Sequence, residues 1–122
     1  MRARRLPPRR ALPGRHTTSL VCWVEGLPPR LSIVHGERAR GARTDTHNPV
    51  LDHLLAVRCP DPEAARALVA RPGVDEALLP VVHGHPGSAL YDDRVRLVCE
   101  GKLRRGLAEA VDLVLTLARA IS

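Results

Sequence analysis

The stretch at residues 89–100, ALYDDRVRLVCE, decides the fold that this sequence predicts. From Arg94 onward, polar and apolar residues alternate, and this period of two places successive side chains on opposite faces of a strand. Asp92 and Asp93 are typical turn residues between two such segments. The stretch therefore predicts a β-hairpin with one buried face and one wet face. The inward residues are Val95, Leu97 and Cys99, and the outward residues are Arg94, Arg96 and Glu100.

Downstream of the hairpin, the sequence predicts a long amphipathic helix from Leu103 or Gly106 to about Ile121. Apolar residues recur there at helical spacing, which marks a helix face that is covered in the folded protein. They are Leu107, Val111, Val114, Leu115, Ala118 and Ile121, and the stripe is widened by Leu113 and Leu117. A stripe of this width predicts packing on a sheet, on a partner chain, or on both.

Upstream of the hairpin, the sequence predicts two shorter helices and three strands. Asp61 can accept hydrogen bonds from the first backbone amides of a helix over 62–70. A second helix is predicted over 74–82, and Pro80 is expected to bend or shorten it because proline lacks a backbone N–H. The predicted strands are residues 19–25 (buried), 30–35, and 53–59 (the best candidate for a central strand).

This order of elements predicts an α+β fold, a two-layer sandwich in which helices pack on one face of a mostly antiparallel sheet. Residues 18–122 are expected to form a single domain, since the chain of 122 residues suffices for one core. Residues 1–17, rich in Arg and Pro, are predicted to be a basic disordered tail. A start codon assigned too early, or truncation of a longer protein, would produce the same kind of N-terminal segment.

The formal charge of +6 is not spread evenly along the chain. Residues 1–58 contain eleven arginines and four carboxylates, whereas residues 59–122 contain eight basic and nine acidic groups. The positive excess therefore belongs to the tail and the first loops. Phe is absent, and Trp23 and Tyr91 are the only aromatic residues, which leaves little for stacking on bases. Nucleic acid contact through the tail is thus expected to show little sequence preference.

Three cysteines, Cys22, Cys59 and Cys99, lie in apolar runs without a CxxC pair, a pattern typical of reduced, buried thiols. Prolines interrupt the place where a signal peptide needs a continuous apolar region. The apolar run at residues 19–24 is far too short to span a membrane. We therefore expect a soluble, cytoplasmic protein without a membrane partner.

Histidine is the most suggestive material for chemistry in this chain. His83 and His85 form an HxH pair, and His53 lies upstream. Imidazole is a common zinc ligand, so these three are the candidate metal ligands. No cysteine or carboxylate stands at a recognisable ligand spacing from them, and Gly84 and Pro86 predict a turn. The alternative interpretation is that these are solvated loop histidines.

Other catalytic patterns are weaker. Asp52-His53 and Asp92-Asp93 could supply acid–base groups, but adjacent residues on a strand point to opposite faces. Ser88 follows a Pro-Gly turn without the GxSxG pattern of a nucleophile elbow. Neither a GxxxxGK[ST] loop nor a GxGxxG loop is present. We therefore predict no catalytic residues and no cofactor.

Residues 48–121 resemble an uncharacterised domain of bacterial proteins. The resemblance is carried by NPVLD at 48–52 before a strand, DPEAARAL at 61–68, a hairpin, and an apolar terminal helix. It implies an α+β fold and no catalytic residues.

The function expected from these observations is that of a non-catalytic accessory or protein-interaction domain, which forms a homo-oligomer or binds a protein partner through its C-terminal helix. One alternative is a small metal-dependent or acid–base enzyme that uses His53, His83 and His85. The other is a module that binds nucleic acid, or another anionic polymer, through the Arg-rich N-terminal tail.

Overall fold

The computed structural model describes residues 17–100 and 106–122, and the elements are numbered here in chain order. The strands are β1 (Thr17–Trp23), β2 (Ser32–His35), β3 (Leu55–Arg58), β4 (Ala89–Tyr91) and β5 (Arg94–Glu100). The helices are α1 (Pro49–Leu54), α2 (Pro62–Val69), α3 (Val74–Leu78) and α4 (Leu107–Ile121). A 3-10 turn covers Gly36–Arg38, and a π-helical turn covers Leu79–His83. The predicted tail lies outside the described residues, apart from Thr17, which begins β1.

The described strands form one antiparallel sheet in the order β1-β5-β4-β2-β3. Its centre is the predicted hairpin of β4 and β5, joined by Asp92 and Asp93, and Asp92 has the positive φ of 53° that tight hairpin turns require. The π-helical turn contacts β2 and β4, while α4 contacts β1 and β5. The predicted α+β fold is confirmed.

The core lies between the helices and one face of the sheet, which we call the inner face. Strand alternation brings Ile33, Leu90 and Leu97 to this face, and each is fully buried. Helix α4 adds a line of buried residues at helical spacing: Ala110, Val114, Leu117 and Ile121. Burial of apolar side chains on these two surfaces is what holds the layers together.

The prediction that residues 19–25 form a buried strand was wrong for one face of β1. Val21 is 50% exposed and Trp23 is 65% exposed, while Leu20 and Cys22 pack partly against the core. The physical reason is that the described helices cover the sheet from one side only. An apolar residue that alternates onto the other side stays in contact with water.

The prediction of a central strand over 53–59 was also wrong. His53 and Leu54 belong to α1, and β3 stands at one end of the described sheet. Its run of apolar residues has another cause, because Ala56, which the register places on the outward face, is only 1% exposed. The backbone amide of Thr44 donates to Val57 O at 2.7 Å, so a loop segment runs along the outer edge of β3.

The predicted helix over 74–82 is interrupted where Pro80 was expected to disturb it. Helix α3 ends at Leu78, and the chain widens into the π-helical turn, which the amide of Gly84 closes by donating to Leu79 O at 2.9 Å. A Cβ on Gly84 would lie 2.6 Å from Pro80 O. The close approach of this carbonyl favours glycine at position 84, directly after the π-helical turn. Among the described helices, none is long and apolar enough to cross a membrane.

Candidate functional site

The three histidines proposed as metal ligands occupy separate places. His53 is exposed on α1, and His83 is exposed at the end of the π-helical turn. His83 stacks on the buried His35, with ring centroids 5.0 Å apart and planes 10° from parallel. The Nδ1 of His85 donates to Pro80 O at 2.8 Å.

The histidines that make contacts within the fold use them for local structure. His35 Nδ1 accepts from the amide of Glu37 at 3.1 Å and so caps the 3-10 turn. Within residues 17–100 and 106–122, no group of three or more His, Cys, Asp or Glu side chains is arranged to hold a metal ion. Two surface clefts, of about 580 and 680 Å³, contain none of the three proposed ligands, and a smaller cleft of about 430 Å³ contains His85 without His53 or His83.

Asp52, proposed for acid–base chemistry beside His53, binds a loop instead. Its carboxylate accepts from the buried Thr46, from Oγ1 at 2.7 Å and from the backbone amide at 3.2 Å. The neighbouring Asp45 accepts from the amide of His47 at 2.8 Å, and this hydrogen bond is the main reason that the pKa of Asp45 lies below its ordinary value. Both carboxylates therefore shape the loop that precedes α1.

The remaining nucleophiles and acids also have structural roles. Ser88 is buried and its Oγ accepts from the amide of Val98 at 2.8 Å, within the hairpin region. Asp93 pairs with Arg94 at 3.2 Å. Cys59 and Cys99 are buried free thiols, and burial raises the pKa of Cys99, which lowers its reactivity.

A different set of side chains converges on the sheet face that the described helices leave uncovered, which we call the open face. The register aligns five residues, one from each strand, in a single row across this face. In sheet order, they are Trp23, Arg94, Tyr91, Ser32 and Arg58. At the usual strand separation of ~4.8 Å, this open-face row is about 19 Å long.

The centre of the open-face row is a contact between one cation and two aromatic rings. The guanidinium carbon of Arg94 lies 4.4 Å from the centroid of Trp23 and 5.5 Å from the centroid of Tyr91. Both distances are within the range of cation–π attraction. The chain thus places its only Trp and its only Tyr on either side of the same arginine.

Next to the row, the open face adds a further positive charge. Arg96 lies two residues beyond Arg94 on β5 and donates from Nη2 to Ser19 Oγ at 3.4 Å. The register pairs it with the exposed Val21 on one side and with Ala89 on the other. Arg58, at the far end of the row, is exposed and donates from Nε to Ala42 O at 3.2 Å. Among the described residues, three arginines thus share this face, and the carboxylate of Asp93 offsets part of the charge of Arg94.

The sequence predicted parts of this face without their combination. The alternation of 94–100 placed Arg94 and Arg96 outward, as observed. Trp23 was missed because its strand looked buried on both sides, and Tyr91 was placed in the first strand of the hairpin without being assigned to a face. The useful signal was the alternation of side chains along β1. Leu20 and Cys22 face the core, so Trp23 must lie on the opposite face. The pairing of β1 with β5, 71 residues further along, is not visible in local pattern.

Helix α4 also exposes part of its apolar stripe. Leu107, Val111 and Leu115 are 45%, 38% and 37% exposed, at a spacing of four residues along one side. The other members of the predicted stripe face the core: Val114, Leu117 and Ile121 are buried in it, and Leu113 and Ala118 are partly buried against it.

No protein-family model, no curated protein and no solved structure matches this chain.

Proposed function

We propose that this domain is a non-catalytic binding module that receives an anionic partner on the open face of its sheet. The observation that carries the proposal is the open-face row, in which Arg94 lies between Trp23 and Tyr91 and Arg58 ends the line. We place the domain in the cytoplasm, as its free cysteines suit a reducing compartment.

The residue types on the open face favour binding over acid–base catalysis. Arginine keeps its charge at any physiological pH and offers several N–H donors, so it holds anions well and exchanges protons poorly. Tryptophan and tyrosine supply flat contact area. Of the groups proposed earlier for chemistry, Asp52 binds the loop before α1, His85 binds the π-helical turn, and His83 stacks on His35.

The arginines that precede β1 in the sequence would add charge to the same partner. Residues 1–16 contain six arginines, and β1 enters the sheet directly after them. Anion binding by the open face and by the tail is therefore expected to be additive, which sets the design of the test.

The proposal is tested with the full chain on immobilised heparin, a polyanion without bases, by the salt concentration that elutes it. The double variant R94Q/R96Q is expected to elute at lower salt than the wild type, because two arginine contacts with the polymer are lost. The control R66Q/R119Q removes two arginines that lie on helices α2 and α4 and not on the sheet. Equal elution of the two double variants would show that binding depends on total charge only, and would contradict the proposal.

A second candidate is self-association through α4, favoured by the exposed stripe of Leu107, Val111 and Leu115. An apolar stripe on one helix fits the same stripe of a second copy, packed about a two-fold axis. Light scattering of the wild type is then expected to give a dimer mass, and V111E a monomer mass. The control A67E places the same charge on exposed α2. A monomeric wild type at high concentration would end this candidate.

A further inference from the structure

We infer that the partner of the open face is a single-stranded nucleic acid whose bases stack on Trp23, Arg94 and Tyr91. The inference rests on the proposed function and adds the chemical class of the ligand. It assigns the three stacking groups to bases and the arginines beside them to phosphates.

The first argument is the exposure of the aromatic residues. A chain with two aromatic residues would gain most by burying both, yet Trp23 is 65% exposed and Tyr91 is half-buried. Both lie on the open face in register with Arg94. Exposed rings on an antiparallel sheet are a means by which proteins stack unpaired bases, and each stacked base contributes substantially to affinity.

The second argument is the role of Arg94 between the rings. Its guanidinium carbon lies 4.4 Å from the Trp23 centroid and 5.5 Å from the Tyr91 centroid, and its Nε donates to Asp93 Oδ1 at 3.2 Å, so this side chain separates the two rings and holds them apart as two stacking positions. Strands β1 and β4 flank β5, which puts Trp23 and Tyr91 about 10 Å apart at the usual strand spacing. This surface has room for two neighbouring bases, with Arg94 between their positions.

The third argument is the placement of hydrogen-bond donors around the rings. Arg96 lies one step along β5 from the stacking groups, and Arg58 lies at the end of the open-face row. Between Tyr91 and Arg58 stands Ser32, a small residue that lets a backbone pass close to the sheet. Phosphates on a strand whose bases cover the rings would thus meet an arginine on two sides.

The same geometry disfavours a duplex. Reading a duplex requires an element that enters a groove, and the bases of a duplex have no free faces to stack on a sheet. An acidic protein segment would use the arginines without needing Trp23 or Tyr91. The bases are therefore what distinguishes the inferred ligand from any other polyanion.

The chain provides its own reporter, because Trp23 is its only tryptophan. The full chain is titrated with oligo(dT) and oligo(U) of about eight nucleotides, within the usual site size of single-strand binders. Either strand is expected to quench Trp23 fluorescence. The matched probe is an abasic oligodeoxynucleotide of the same length, which offers the same phosphates and is expected to bind more weakly without quenching.

The variants are compared by anisotropy of a labelled oligonucleotide. Y91A and W23A are each expected to weaken binding by about 5- to 100-fold, from the loss of one stacked base. W23F retains a ring and is expected to restore most of the affinity. The control V50A trims an exposed apolar residue on α1 and should bind as the wild type does. R96Q is expected to reduce the slope of log K against log salt by about 0.7.

Equal binding of the abasic and the base-containing strands would overturn the inference, as would unchanged affinity in both W23A and Y91A. In either case, heparin retention sensitive to R94Q/R96Q would leave the proposed function standing. If heparin retention were also unchanged in R94Q/R96Q, both the inference and the proposed function would be contradicted. Circular dichroism of each variant confirms that a loss of affinity comes from a folded protein.

Discussion

The same strands form both faces of the sheet, but the two faces have different environments. The inner face is buried against the helices, and the open face is not covered by them. In β5, Val95, Leu97 and Cys99 face the helices and are buried, while Arg94 and Arg96 alternate with them and face outward. One strand therefore serves both the core and the surface. Substitutions at adjacent residues of this strand are therefore expected to alter stability and binding separately.

The largest expected effect contrasts two neighbours on β5. Leu97→Ala leaves a cavity in the core and should lower the free energy of unfolding by about 2–5 kcal/mol. Arg96→Ala changes an exposed side chain and should stay within about 0.5 kcal/mol of the wild type. Urea unfolding measures both, and similar losses would break the distinction between the faces.

A smaller effect is expected where the outward side of the sheet is covered, near β3. Asp52→Ala removes the acceptor for the hydroxyl and the amide of Thr46, and that residue is buried. Leaving these donors unpaired should reduce the free energy of unfolding by about 1–3 kcal/mol. Faster hydrogen exchange at Thr44 and Thr46 in the variant would locate the change in the loop, whereas unchanged stability would show that the loop holds without Asp52.

Trp23→Ala is expected to cost stability of about 1 kcal/mol or less, chiefly from the lost contact with Arg94. A tryptophan inside a core would cost about 3–5 kcal/mol. Thermal unfolding of W23A therefore tests directly whether the open face is uncovered. A loss in the larger range would mean that Trp23 is packed, and would contradict its assignment to a binding surface.

The smallest expected effect is the pH dependence of the free energy of unfolding that Asp45 produces. Its pKa in the folded protein is lowered by the hydrogen bond from His47, so the stabilisation is complete above the unfolded value of about 3.9 and is lost as pH falls through the folded value. Asp45→Asn should be less stable than the wild type near neutral pH, and the two should converge in acid. A difference that grows as the pH falls would have the wrong sign.

Much of the fold could be predicted because its elements are encoded locally. Pro62 follows the helix cap at Asp61, the two aspartates turn the hairpin, and the stripe on α4 is read from helical spacing. The cap is observed as predicted, with Asp61 accepting from the amides of Glu63 and Ala64. Each of these features depends on residues within a few positions of one another.

The errors came from contacts between distant parts of the chain. The position of β3 at one end of the described sheet, and the exposure of Trp23, depend on the strand order and on which side the helices pack. The open-face row joins residues as far apart as Trp23 and Arg94, so no window of sequence contains it. The candidate site could not have been predicted for that physical reason.

The antiparallel register carries a consequence for folding fidelity. If β1 slipped by one residue against β5, its side chains would exchange sides, turning Trp23 toward the helices and Cys22 toward water. A molecule with the shifted register would keep its secondary structure and lose the contact between Trp23 and Arg94. The proposed binding surface therefore forms only when β1 pairs with β5 in the correct register, so ligand binding would distinguish correctly paired molecules from those with the shifted register.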